Sequence, residues 1–179
     1  MSNLGRSVFF LSLALIGGRD PAFAQVRTLN IWIYDYAGLS ERTVRQLSSS
    51  IERIVSERLP VRVMVCDTGH KHFCENPNGK WESLEIRILP GKTQRSQIRD
   101  RALLGEAFVG PRTGTYASVF LQPVQEQAAA AGVPWMVVLA YAAAHEAGHL
   151  LGSSHTPRGL MKAHWDRQDY QAMNQNAIH

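Results

Sequence analysis

Eleven residues at positions 145–155, His-Glu-Ala-Gly-His-Leu-Leu-Gly-Ser-Ser-His, constrain this chain more than any other stretch. They follow the pattern H-E-x-x-H-x-x-G-x-x-H. His145 and His149 are four positions apart, so on a helix they lie on one face and can present two imidazole nitrogens to one cation. The spacing therefore predicts a helix through this stretch that carries a metal-binding face.

The remaining fixed positions complete a catalytic type of metal site. Gly152 follows His149 at the distance where a residue without Cβ can adopt a left-handed conformation and end the helix. The chain can then turn back so that His155 supplies a third nitrogen. Three neutral imidazoles leave the fourth position of one tetrahedral Zn²⁺ ion open, which is typical of catalytic zinc. Glu146 can act as a general base toward water.

This stretch resembles the zinc-binding signature of the metzincin metallopeptidases, in which His145, His149 and His155 would be the zinc ligands. Met161, which follows the third histidine by six residues, is similar to the methionine of the turn beneath the zinc in that family. The short linker between them is similar to that of small bacterial matrixin-like proteins. The resemblance covers residues 145–161, about a tenth of the chain.

The resemblance implies an α/β (α+β) fold: a metzincin-like zincin domain whose twisted mixed sheet has about five strands. A long helix would follow strand one, and the active-site helix would be buried. In metzincins the strand just above the zinc is an exposed edge that pairs with substrate backbone. The segment 105–109 is the candidate by its order along the chain, and an ordinary edge strand is the alternative.

Hydrophobic periodicity predicts the individual elements. Strands are expected at 28–34, 61–65, 84–89, 105–109 and 116–122. Helices are expected at 41–58 after the N-cap Ser40, and at 124–131, 134–151 and 163–174. The helix at 134–151 is apolar on nearly every side, as expected for a helix buried across a sheet. Trp165 and Tyr170 are expected to pack inward.

The first 24 residues are typical of an export signal, because an apolar run follows Arg6 and ends before the small-x-small pattern Ala22-Phe23-Ala24. The run is about half the ~20 residues that a spanning helix needs, so a retained membrane anchor is the weaker alternative. We predict a signal peptide at 1–24, a secreted or periplasmic protein without a stable membrane anchor, and one zinc metallopeptidase-like catalytic domain at 25–179.

The charge of the expected mature chain argues against nucleic acid as a partner. Loss of Arg6, Arg19 and Asp20 lowers the Lys plus Arg count from 19 to 17 and the Asp plus Glu count from 15 to 14, so the net charge falls from +4 to +3. No basic run is interleaved with aromatic residues.

Cys66 and Cys74 are the two cysteines of the chain. In an exported protein an even count favours a disulfide between them. The loop that they would close also holds His70 and His72, so a second metal site is the alternative. The spacing C-x3-H-x-H-x-C fits no common zinc class, which favours the disulfide.

These features predict an exported zinc-dependent metalloendopeptidase of metzincin type that acts on peptide or protein substrates, with Glu146 as its catalytic base. Two alternatives stay open. A non-catalytic zinc-binding or adhesive secreted domain would keep the scaffold without turnover, and a cell-wall peptide hydrolase would keep the chemistry with another substrate. Some metzincins add a tyrosine near the metal shortly after the methionine turn. Residues 162–169 contain none, and Tyr170 is a weak substitute.

Overall fold

The computed structural model describes residues 28–66, 83–92, 103–110 and 114–178. The predicted export signal lies outside these residues, so secretion stays a prediction. Cys74, His70 and His72 lie outside them as well, and the disulfide with Cys66 also stays a prediction. Within the described residues, no helix has both the length and the apolar character that crossing a membrane requires.

Five strands in the described residues form one mixed sheet. They are β1 Leu29–Asp35, β2 Val61–Cys66, β3 Ser83–Leu89, β4 Gly105–Val109 and β5 Gly114–Phe120. Their order across the sheet is β2-β1-β3-β5-β4. The three pairs β2–β1, β1–β3 and β3–β5 are parallel, and β4 runs antiparallel to β5. The prediction of a mixed sheet of about five strands is confirmed.

The central strands bury alternate side chains against the helices. Ile31 and Ile33 of β1 and Ile86 and Ile88 of β3 are fully buried, which is the period-two pattern of a strand with one face in the core. Within the described part of the chain β2 is the last strand on its side of the sheet, and the Glu52 carboxylate accepts a hydrogen bond from its backbone at the Val63 N–H.

Four helices accompany the sheet in the described residues: α1 Glu41–Ser56, α2 Leu121–Ala131, α3 Trp135–Leu150 and α4 Arg167–Asn174. The long helix after strand one begins as predicted, because the Ser40 side chain accepts a hydrogen bond from the Thr43 N–H at 3.2 Å. One face of α1 joins the core through Val44, Leu47, Ile51, Ile54 and Val55.

The boundary between β5 and α2 differs from the prediction. The strand expected at 116–122 ends at Phe120, and the helix expected from 124 begins at Leu121. Pro123 lies in the first turn of α2, where a missing backbone N–H removes no intrahelical hydrogen bond. The proline is therefore compatible with an earlier helix start than apolar periodicity alone predicts.

The last two helices, in contrast, begin later than predicted. Pro134, expected in the first turn of α3, is its N-cap, with ψ of 128°. The helix expected from 163 begins at Arg167, because Asp166 and Asp169 form a capping box in which each side chain accepts a hydrogen bond from the backbone of the other. Residues 163–165 are thereby left outside the helix.

Helix α3 is buried along most of its length, as its apolar sequence predicts. It packs beside α1 and crosses β3, β5 and β4. Small side chains dominate the part that approaches the sheet, which lets the helix come close to the strands. Its buried residues include Val138, Leu139, Ala140, Ala142, Ala143, Ala144 and Ala147. This burial fixes the C-terminal half of α3, which contains His145, Glu146 and His149, against the edge of the sheet.

Candidate metal centre

Three histidine side chains converge at the C-terminal end of α3. The Nε2 atom of His149 lies 3.0 Å from Nε2 of His145 and 3.0 Å from Nε2 of His155. One ring nitrogen from each histidine lies within 4.8 Å of the other two. The imidazole of His149 stands nearly perpendicular to both neighbouring rings. The three residues that the sequence singled out therefore form one cluster.

Backbone carbonyl groups orient two of the three imidazoles. Nδ1 of His145 lies 2.8 Å from the carbonyl oxygen of Leu160, and Nδ1 of His149 lies 2.9 Å from that of Ser153. A carbonyl oxygen only accepts hydrogen bonds, so each Nδ1 carries the proton. In the neutral tautomer, Nε2 of both rings is then a bare lone pair, which is the form that binds a metal.

The spacing of the converging Nε2 atoms is more consistent with a zinc ion bound among them than with direct contact between the nitrogens. Two nitrogen lone pairs 3.0 Å apart repel unless a cation lies between them. Zinc–nitrogen bonds of about 2.0–2.1 Å in a tetrahedral arrangement hold nitrogens about 3.3 Å apart, which is close to the observed spacing. The donor set of three imidazoles is also one that zinc prefers.

The turn at Gly152 positions both Ser153 and His155. Gly152 has a φ of +89°, in the region that favours glycine. Its N–H donates to the His149 carbonyl, and the Ser153 N–H donates to the Gly148 carbonyl, each at 2.9 Å. This is the two-bond Schellman ending of a helix. The turn that ends α3 thus presents the Ser153 carbonyl to His149 and sends the chain back toward His155.

A closed loop from 156 to 162 holds Met161 against α3. The Thr156 N–H donates to the Met161 carbonyl at 2.9 Å, so the loop returns to its starting point. A Cβ built on Gly148 would lie 2.5 Å from Sδ of Met161. The methionine therefore packs directly on the helix backbone at Gly148, between two of the clustered histidines in sequence. Leu160, which precedes it, supplies the carbonyl that orients His145.

Trp165 packs against the same cluster from the segment between the loop and α4. Its indole meets the His145 ring edge to face, with centroids 5.3 Å apart, and it meets the Tyr170 ring in a similar way at 6.2 Å. The indole Nε1 is buried and, among the described residues, has no hydrogen-bond partner. Trp165 therefore restrains the His145 ring by packing and not by a hydrogen bond.

Lys162 links the methionine loop to α4. Its Nζ donates to the carboxylates of Asp166 at 2.8 Å and Asp169 at 2.5 Å. The same two aspartates form the capping box of α4. The bonds from Lys162 to Asp166 and Asp169 therefore hold both ends of the segment that carries Trp165.

A cleft of about 650 Å³ opens beside the three histidines. Residues of β4, Leu103 and Leu104, and the segment 162–165 line this cleft. Glu146 also lines the cleft and is 6% exposed. Tyr170 also lines the cleft, although the sequence offered it only as a weak candidate near the metal. The cleft thus brings a carboxylate and three imidazoles to one cavity.

Burial favours the neutral form of both Glu146 and His145. Burial raises the pKa of Glu146 to about 8, and the charge of Glu106 adds to the effect. Burial, with smaller contributions from His149 and His155, lowers the pKa of His145 to about 4, against the opposing hydrogen bond to the Leu160 carbonyl. Neutral imidazole is the ligand form that a metal needs. A dication beside Glu146 would stabilise its carboxylate and lower that pKa.

Several contacts of the site were not predicted from the sequence. Gly148 and Gly105 were given no role, yet each lies where a side chain would collide with Met161 or Glu146. A glycine inside a helix or strand is a general signal of close approach, so both could have been noticed. The carbonyls of Leu160 and Ser153 carry no such signal, because every residue has one.

The close contact at Gly148 predicts a specific interaction between two substitutions. Gly148→Ala should lower the free energy of unfolding by about 1–3 kcal/mol, because the new methyl group overlaps Met161. In a Met161→Ala background the same change should be neutral or stabilising, since alanine favours a helix over glycine by about 1 kcal/mol. Urea denaturation of the four proteins measures the cycle. Equal effects of Gly148→Ala in both backgrounds would contradict the contact.

A scan against models of known protein families found no match, and a search of curated proteins found none. The fold is similar to that of a zinc-dependent peptidase from Methanocorpusculum labreanum (strain Z), known from a crystal structure. The two share 15% sequence identity with a TM-score of 0.51, over 78% of this chain and 92% of that chain. At this identity the likeness concerns the fold. The chain therefore combines a fold similar to that of a zinc peptidase with a three-histidine cluster that fits a zinc ion.

Proposed function

We propose that this chain is a zinc-dependent endopeptidase of metzincin type, with His145, His149 and His155 as the ligands of one zinc ion. The observation that carries the proposal is the convergence of three Nε2 atoms in a cleft that also contains Glu146. The fold likeness to a zinc-dependent peptidase supports it. The third histidine and the packing of Met161 on Gly148 support the metzincin subtype.

Glu146 acts as the general base in this proposal. Its side chain lies in the cleft and follows His145 directly in sequence, so it neighbours the imidazoles without sharing their orientation. The carboxylate accepts the proton of the attacking water and then passes it to the leaving amine. When bound, zinc supplies Lewis-acid chemistry, polarising the scissile carbonyl and making water a stronger nucleophile near neutral pH.

Strand β4 is the proposed binding edge for the substrate backbone. It is the last strand of the sheet in the described residues and forms one wall of the cleft. The Phe120 N–H donates to the Leu104 carbonyl at 2.8 Å, and the register of β4 with β5 is antiparallel. By alternation, the peptide groups of Glu106 face β5, and those of Gly105 and Ala107 face away from it. An extended peptide can pair with that outer edge.

Export completes the proposal. We infer that residues 1–24 direct the chain out of the cytoplasm and are removed, leaving 25–179 as one catalytic domain that acts on peptide or protein substrates. The two alternatives predict other results. An adhesive domain would bind zinc without cleaving casein, and a cell-wall hydrolase would cleave peptide cross-links in preference to proteins. Profiling of the zinc-loaded mature protein on both substrate classes separates them.

Zinc binding can be tested with two exposed histidines of the cleft. His155→Ala should weaken zinc affinity by more than the roughly 10–100-fold typical of lost outer contacts, because a direct ligand is removed. His164→Ala is the matched control and should bind zinc as the unmodified protein does. Competition with a chromophoric chelator measures both affinities. Equal affinities for the two variants would exclude His155 as a ligand.

The role of Glu146 can be tested by an isosteric change. Glu146→Gln keeps the size of the side chain but cannot accept the proton, so kcat for a quenched peptide should fall by at least about 100-fold with zinc retained. Glu126→Gln, at an exposed glutamate of α2, is the control and should leave kcat unchanged. Unaltered turnover in the Glu146 variant would refute the proposed base.

If the substrate backbone pairs with β4, proline at position 107 should weaken substrate binding without preventing folding. Ala107→Pro removes an outward N–H and should raise the KM of a long peptide up to about tenfold, the value of one hydrogen bond. Ala107→Ser keeps the N–H and serves as the control. Steady-state kinetics measure both, after equal zinc content has been checked. The same KM in the two variants would argue against substrate pairing at this edge.

A further inference from the structure

Gly105, the first residue of β4, is in close contact with the proposed catalytic base. A Cβ built on Gly105 would lie 2.7 Å from Oε1 and 2.8 Å from Cγ of Glu146. It would also lie 2.9 Å from the carbonyl oxygen of Ser118 on the neighbouring strand β5. Carbon atoms do not approach other heavy atoms this closely without displacement. The backbone of β4 and the side chain of Glu146 therefore occupy adjoining space that admits no side chain at 105.

This contact restrains a carboxylate that has few other restraints. Glu146 is 6% exposed and belongs to the buried helix α3, so its backbone is fixed. Among the described residues, no hydrogen bond to its carboxylate is present, and the charge of Glu106 acts on it from a distance. The side chain has three rotatable bonds, and a hydrogen bond would normally select one rotamer. For Glu146, packing against Gly105 selects the rotamer instead.

We propose that Gly105 is a positioning residue for Glu146: the missing side chain at 105 sets where the carboxylate lies relative to the three imidazoles. The proposal rests on the proposed function of Glu146 as the base. A methyl group at 105 would push the carboxylate away from β4. Displacement of a reacting group by about 1 Å can lower a rate by about 100-fold.

Gly105 also connects the base to the substrate-binding edge. The N–H and C=O groups of Gly105 point away from β5, because alternate residues of β4 pair with that strand. Its Cα faces Glu146. One residue therefore touches the carboxylate on one side and offers backbone hydrogen bonds to an extended peptide on the other. This arrangement fixes the register between the substrate backbone and the base.

Kinetics of Gly105→Ala test the proposal. The variant should lower kcat for a quenched peptide by about 10–100-fold, with KM changed less than about twofold and zinc stoichiometry unchanged. Gly91→Ala is the matched control, because a Cβ at Gly91 would meet only the side chain of Gln122, at 3.4 Å. An unchanged kcat, a rise in KM alone, or loss of zinc from the Gly105 variant would each overturn the proposal.

A stability cycle provides a readout that does not depend on activity. Glu146→Ala removes both Glu146 atoms that a Cβ at 105 would meet. If Gly105 acts through Glu146, the loss of melting temperature caused by Gly105→Ala should be at least about halved in the Glu146→Ala background. An equal loss in both backgrounds would assign the clash to the Ser118 carbonyl and overturn the proposal. If Gly105→Ala folds only together with Glu146→Ala, the proposal is supported, and failure to fold in both overturns it.

The two proposals fail in different ways. If the zinc-loaded unmodified protein cleaves no peptide, the proposed function is wrong, and the stability cycle still decides whether Gly105 packs through Glu146. If the unmodified protein is active and Glu146→Gln is not, but Gly105→Ala retains full kcat, only the positioning role is wrong.

Discussion

The two hydrogen bonds from imidazole Nδ1 atoms to the backbone are the interactions on which the site depends. They fix the proton of His145 toward Leu160 and that of His149 toward Ser153, so both Nε2 lone pairs must point at each other. This arrangement is unfavourable without a cation and favourable with one. The acceptors belong to the methionine loop and to the helix-ending turn, so these two irregular segments determine the geometry of the three-histidine cluster.

Close contacts at glycine and alanine residues position the site as much as contacts between larger side chains do. Alanines let α3 approach the sheet, Gly148 lets Met161 rest on the helix backbone, and Gly105 lets β4 meet Glu146. Each contact joins an element that is rigid because it is buried to one that lines the cleft. A close-packed interior transmits small changes in volume, so we expect a single methyl group at 105 or 148 to displace the side chain that it meets.

Burial also sets the charge state of the cleft. It favours the neutral form of His145 and of Glu146, as their shifted pKa values indicate. The neutral His145 imidazole would be ready to bind a dication without loss of a proton from Nε2, and a dication held there would favour the charged form of the neighbouring carboxylate. Burial makes an isolated carboxylate unfavourable, and a bound metal would make it compatible with a charged Glu146.

Local patterns in the sequence determined the elements: apolar alternation gave the strands, Ser40 the start of α1, and the spacing of His145, His149 and Gly152 the helix and its turn. These features depend on residues within a few positions of one another, and such short-range geometry can be inferred from the sequence. Tertiary structure alone decided the strand order, the contact of the Leu160 carbonyl with His145 and the contact of Gly105 with Glu146, since residues many positions apart meet only after the chain has folded. Backbone carbonyls have no residue-specific signature, and a glycine indicates close approach without identifying the atom that it meets, so only the folded chain could identify these partners.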